Sequence, residues 1–258
     1  MTRENRPAWA VGGLVAVLII AAVLVVLKTG SGGKGSIELH ISEAGSRVFF
    51  ENKEKTTTSV DSQTFTARNL RSKNYSLIVA KDGFWPWVKN IDIKNSAAVT
   101  LSSWSLPKIV KQEEVLSDDE NYSEILSQIN NGILAGEGNA LVSSDSNFKV
   151  WVDKNTIFAE WAGEKTETPY YFCDSGECDS RIVVLDSASN IYSLSFFKNR
   201  EDVLVFANSE GVYAIEINRA GTQNFQPILR TNGETRFYTE DGATFFILQN
   251  GSLLKANL

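Results

Sequence analysis

Residues Ala8 to Leu27, AWAVGGLVAVLIIAAVLVVL, form twenty consecutive positions without a charged or strongly polar side chain. At a helical rise of about 1.5 Å per residue this run spans roughly 30 Å, the thickness of a bilayer hydrocarbon core. A cleaved signal peptide is the competing reading. Its apolar region is shorter, about 7–15 residues, and ends on a small-x-small cleavage site. Here Val23, Val25, Val26 and Leu27 run straight into Lys28, and no cysteine follows closely enough to accept a lipid. The expectation is an uncleaved transmembrane helix over residues 8–27, with residues 1–7 as a cytoplasmic head and the lipid bilayer as a first partner.

The flanks decide orientation weakly, because Arg3 and Arg6 before the span are matched by Lys28 and Lys34 after it. The two cysteines say more. Cys173 and Cys178 sit in YFCDSGECDSR, where Asp174, Ser175 and Gly176 supply turn chemistry between two flanking strands. Such a pair can close a small loop as a disulfide, a bond that persists in oxidising compartments and is rare in the cytosol. Two free thiols are the alternative. A disulfide places the body outside the cell membrane, in a single-pass protein with a cytoplasmic N-terminus. Structural zinc needs four ligands, and His40 is the only histidine. No metal or cofactor is expected.

The chain carries a formal net charge of −6, and the +1 of Arg3, Glu4 and Arg6 leaves −7 on the remainder. That field disfavours nucleic acid and anionic lipid as partners. Residues 28–35, rich in glycine and serine, read as a flexible spacer. The remaining residues suffice for one large domain or two small ones.

In residues 36–106, Ser36-Ile-Glu-Leu-His-Ile41 alternates Ile37, Leu39 and Ile41 with Glu38 and a solvent-facing His40. Arg47 to Glu51, Tyr75 to Lys81, Lys89 to Ile93 and Ala97 to Leu101 repeat the strand signal. Turns at Gly45, Asn74 and Asp82-Gly83 punctuate them. The pattern predicts a small antiparallel β-sandwich. Three pieces together resemble the PEGA domain family: Gly35-Ser-Ile-Glu-Leu-His-Ile41, Glu43-Ala-Gly-Ser-Arg-Val48, and Tyr75-Ser-Leu-Ile-Val-Ala-Lys-Asp-Gly-Phe84. The likeness covers about a quarter of the chain. It departs at the eponymous motif, where Ser42-Glu43-Ala44-Gly45 lacks the proline and Ser46 replaces the alanine. The resemblance implies a surface-exposed binding or spacer module without catalytic residues.

Phe84-Trp-Pro-Trp87, with Trp104 downstream, is the most aromatic patch. Trp85, Trp87 and Trp104 could form a stacking platform for sugars or peptides, or they could fill the sandwich and its edge. Residues 107–135 read as a connector. Ser117-Asp-Asp-Glu120 has the form of a capping box. Tyr122, Ile125, Leu126 and Ile129 then fall at helical spacing, and Asn130-Asn131-Gly132 ends the pattern.

Residues 136–258 repeat themselves. Asp202 to Asn208 followed by Gly211 to Ile217 parallels Ala243 to Gln249 followed by Ser252 to Asn257. An earlier copy lies in Phe148 to Val152 and Thr156 to Trp161, with the cysteine loop inserted after it. Strand-turn-strand units at about 40–45 residues have the period of β-propeller blades, and about three fit. Three is fewer than closed propellers usually hold. An open stack, a partial propeller completed by a partner, and a sandwich of the same hairpins all remain.

No nucleophile elbow, phosphate loop or zinc signature is present. The expected function is therefore non-catalytic: an anchored extracytoplasmic protein whose β-modules bind or scaffold a glycan, cell wall or protein of the envelope. Two alternatives stand beside it. Acid pairs such as Glu160 and Glu164, or Asp179 and Asp186, could serve a carboxylate-dependent glycan hydrolase. Open strand edges could instead pair with a second copy.

Overall fold

The computed structural model describes residues 34–94, 97–132, 136–174, 177–198, 200–218 and 221–258. The expected anchor, residues 8–27, lies outside the described residues. Among those described, no helix is long and apolar enough to cross a membrane. The described chain is mainly β, in several antiparallel sheets with a single α-helix.

The N-terminal strands are β1 (Gly35–His40), β2 (Arg47–Phe50), β3 (Lys53–Thr57), β4 (Thr64–Leu70), β5 (Lys73–Ala80), β6 (Trp87–Ile93) and β7 (Ala98–Ser102). They form two sheets, ordered β4-β1-β7 and β3-β2-β5-β6. Alternation puts Ile37 and Leu39 of β1 and Tyr75, Leu77 and Val79 of β5 into the core. His40 is exposed. The wholly antiparallel expectation needs one correction, because β1 and β7 pair in parallel. The chain crosses from the second sheet to the first after β6, so β7 arrives alongside β1 in the same direction.

The chain after Pro107 is more than a connector. β8 (Gln112–Glu114) pairs with the final strand of the protein. The helix α1 (Tyr122–Asn131) ends at Gly132 as the sequence predicts, but it starts later than the capping-box residues imply. Asp119 accepts a hydrogen bond from the Leu116 amide at 2.8 Å, so this serine-acid cluster is spent on a turn. The helix is capped by Asn121 without a side-chain hydrogen bond.

The remaining strands are β9 (Leu141–Val142), β10 (Phe148–Asp153), β11 (Thr156–Trp161), β12 (Cys173–Asp174), β13 (Glu177–Cys178), β14 (Arg181–Asp186), β15 (Ile191–Phe197), β16 (Arg200–Asn208), β17 (Gly211–Glu216), β18 (Phe225–Arg230), β19 (Thr235–Tyr238), β20 (Thr244–Gln249) and β21 (Ser252–Asn257). Apart from β12 and β13, which pair with each other, they build with β8 three four-stranded antiparallel sheets: β9-β10-β11-β14, β15-β16-β17-β18, and β19-β20-β21-β8. The three internal repeats are the central hairpins of these sheets, β10-β11, β16-β17 and β20-β21. Asn250 and Gly251, both at positive φ, make the last turn, the conformation that two-residue hairpin loops require.

The middle sheet is buried on both faces. Leu204 and Phe206 of β16 face the first sheet, whereas Val203, Val205 and Ala207 share a core with the third sheet and with the N-terminal sandwich. The far face of the third sheet is covered by α1, through Ile125, Ile129 and Leu253. The far face of the first sheet carries Trp151, covered by charge. Arg181 and Lys149 lie over its ring at 4.8 and 5.5 Å, held by Glu160 and Glu137.

Candidate functional site

β6 reads Trp87-Val-Lys-Asn-Ile-Asp-Ile93, and its inward phase is Trp87, Lys89, Ile91 and Ile93. One of these four is a lysine. Burying an ammonium without a partner is prohibitive, so a counter-charge must meet it. It is Glu216, at the end of β17. The Lys89 Nζ to Glu216 Oε2 distance is 2.7 Å, and the two side chains are 3% and 1% exposed.

Every oxygen of this carboxylate is engaged. Trp87 Nε1 donates to Oε1 at 2.9 Å. Asn224 Nδ2 and its backbone N–H donate to Oε2 at 2.7 and 3.3 Å. The lysine also donates to the Thr222 carbonyl at 3.0 Å. Asn224 does a second job, since its amide bonds both the N–H and the carbonyl of Val88, at 2.9 and 3.0 Å. It thereby covers the outer edge of β6, which would otherwise stand open. Gly221, at φ +74, lets this loop come close, because a Cβ there would stand 2.6 Å from the Asn90 carbonyl oxygen. A second tie lies nearby. Arg200, paired with Asp202, donates to the Ser102 and Ser103 carbonyls, both at 2.9 Å.

Beside this junction lies a cleft of about 670 Å³, a size that suits a small ligand. One wall is the sandwich, with Asn74, Asn90, Asp92 and Lys94 above an apolar base of Ile91, Val99 and Leu101; the other carries Tyr170, Cys173, Cys178, Asn218 and Gly221. Tyr170 is 37% exposed. The enclosure of the rest of its side chain, with Glu216 and then Asp202 nearby, pushes its phenol above the ordinary range. Tyr170 therefore stays a neutral hydrogen-bonding ring at the cleft wall.

The two cysteines are joined as a disulfide across the short ladder β12-β13. The bond holds the hairpin that supplies Cys173 and Cys178 to the second wall, beside Tyr170 and the Asn218 and Gly221 segment after β17. The aromatic patch has a different place. Trp87 and Trp104 are 2% and 5% exposed, so neither offers a ring face for stacking. With Trp85 they line a crevice too narrow for a water molecule, beside Asn224 and Gln226. Trp104 packs edge-on against Phe197 at 5.6 Å, as core does. Trp87 and Trp104 are core side chains, and Trp85 is half-buried against them.

None of the four acids of the two sequence pairs lines this cleft, and Asp179 lines a separate pocket with Trp161 and Thr168. Glu160 is tied to Lys149 and Arg181 on the outer face of the first sheet, and Asp186 accepts from Thr156 at the end of β14. Burial opposes ionisation of Glu160, but the bonds from Arg181 and Lys149 outweigh it and hold the carboxyl below its usual range. Among the described residues, no group of three or more His, Cys, Asp or Glu side chains could hold a metal ion. No protein-family model matches the chain, and no curated protein matches it in sequence.

Proposed function

We propose that this chain is a single-pass, membrane-anchored extracytoplasmic binding protein, and that its ligand seat is the cleft between the sandwich and the disulfide hairpin. The cleft carries this reading. Amides from Asn74, Asn90 and Asn218, the acid Asp92 and the ring of Tyr170 stand over an apolar base. Hydrogen-bonding groups around an aromatic ring are the chemistry that a saccharide engages, one face polar and the other apolar. The class proposed is therefore an envelope glycan, with the PEGA-like sandwich as one wall and the three sheets, read as propeller-like blades, as the scaffold for the other. The apolar run over residues 8–27 supports the anchor, and the disulfide supports an oxidising compartment.

The test uses the full chain in detergent micelles with insoluble cell-wall glycan as the probe. Retention by the wild type, lowered at least tenfold in Tyr170→Ala, is expected. Absence of retention, or equal retention of both proteins, refutes the cleft as a glycan seat.

A further inference from the structure

The overall negative charge conceals a division. Residues 107–258 carry 23 acidic against 12 basic side chains, whereas residues 36–106 carry 7 acidic and 9 basic. Within the sandwich the basic residues are further segregated. β1 begins at Gly35, which pairs with Leu70 at the end of β4. Lys73 opens β5 opposite Ile93, at the end of β6, and Ser36 is beside Ala98. One end of the sandwich therefore gathers Lys34, Arg68, Arg71, Lys73 and Lys94, all exposed. Two acids at this end are in ion pairs, Glu51 with Lys73 at 2.6 Å and Asp92 with Lys94 at 3.2 Å. Among the described residues, Lys34, Arg68 and Arg71 have no ion-pair partner.

This is the end from which the chain leaves toward residues 8–27. The spacer of residues 28–35, at no more than about 3.3–3.6 Å per residue, keeps it within roughly 30 Å of the end of the anchor. We propose that this basic end is a docking surface for anionic lipid head groups of the membrane that holds the anchor, and that it stands the body on the bilayer with its acidic part outward. The inference rests on the anchored reading above. It departs from the expectation drawn from net charge: the whole-chain field disfavours anionic lipid, but screening limits each charge to about 8–10 Å, so the local end decides. Each unpaired cation brought to the surface favours the docked state roughly fivefold at low salt.

The full chain is tested in vesicles of phosphatidylcholine alone and of phosphatidylcholine mixed with phosphatidylglycerol. Both native cysteines are bonded to each other. A fluorophore on Ser72→Cys, in the exposed β4-β5 turn, therefore reports this end, and one on Asp61→Cys reports the opposite end. Quenching by a head-group quencher is expected to rise severalfold at position 72 in the anionic vesicles and to fall back in high salt. It should also fall back in the Lys34→Gln, Arg68→Gln, Arg71→Gln triple variant, while position 61 does not change. Chains that float with the vesicles but show equal quenching in both compositions overturn the docking surface alone. Chains that fail to float overturn the anchor and the docking surface together. The salt and lipid comparisons use an unaltered surface, so a misfolded variant does not spoil the test.

Discussion

The buried pair of Lys89 and Glu216 gives the sharpest test of how the sandwich is joined to the sheets. At 2.7 Å and an effective dielectric of about 20, the gross attraction is about 6 kcal/mol. Desolvation of the two ions offsets it by several kcal/mol each, so the intact pair contributes little net stability. Breaking it is another matter. Lys89→Met leaves the carboxylate with its donors from Trp87 and Asn224, and the expected cost is about 3 kcal/mol. Glu216→Leu leaves the ammonium with only the Thr222 carbonyl and also deprives Trp87 and Asn224 of their acceptor. About 5 kcal/mol is expected there. The double variant Lys89→Met, Glu216→Leu removes both charges and strands mainly the Trp87 N–H, for about 1–3 kcal/mol. Urea unfolding of the full chain in micelles, followed by tryptophan fluorescence, measures the cycle. A coupling of at least about 3 kcal/mol is expected between the two sites. Single costs below about 1 kcal/mol, with coupling near zero, would mean that water reaches the pair and that the junction is not closed as described.

Three further outcomes follow from the same physics. Cys173 and Cys178 should be modified on intact cells by a membrane-impermeant thiol reagent only after reduction, and opening this small loop should cost about 2 kcal/mol in a urea titration; labelling without reductant, or only after lysis, contradicts an oxidised external body. Trp104→Phe should be nearly neutral in thermal unfolding, because the smaller ring leaves a gap but removes a buried indole N–H without a partner among the described residues; a loss above about 3 kcal/mol would show that this N–H is bonded. Glu137 and Glu160 titrate below their ordinary value in the folded chain, so they add stability that is present above about pH 4.5 and lost as pH falls through the folded values. The urea midpoint should drop on acidification and drop less in Glu160→Gln, and equal pH slopes would refute the clamp over Trp151.

What was legible in the sequence followed from burial. Strands with one face in the core announce themselves by alternation, as β1, β5 and β6 do, and the three central hairpins show as repeats because each must fill the same inter-sheet space. β3, Lys-Glu-Lys-Thr-Thr, has every residue exposed, so no apolar phase marks it. β8 is likewise exposed, and its partner lies about 140 residues downstream, a pairing no local pattern encodes. Lys89 was findable: a lysine in the inward phase between Trp87 and Ile91 calls for a buried acid, and Glu216 sits in the equally apolar run Ala214-Ile-Glu-Ile217. The cleft was not, because its two walls come from segments about 70 residues or more apart.

The arrangement of covered faces also bears on self-association. A stack of three sheets has two end faces, and a bare apolar end would recruit another copy. Here α1 covers one end through Ile125 and Ile129, and the four-charge cluster over Trp151 covers the other. Two of the edge strands, β8 and β9, are only three and two residues long, which limits edge pairing. The full chain is therefore expected to be monomeric in detergent micelles. Ile129→Asp puts a charge where α1 meets Leu253, lifts the helix and exposes Phe246 and Leu248 on the third sheet. Light scattering should then report a concentration-dependent dimer or larger species for the variant alone. A wild type that is already dimeric, or a variant that stays monomeric with α1 released, would show that the helix does not keep this face from a partner.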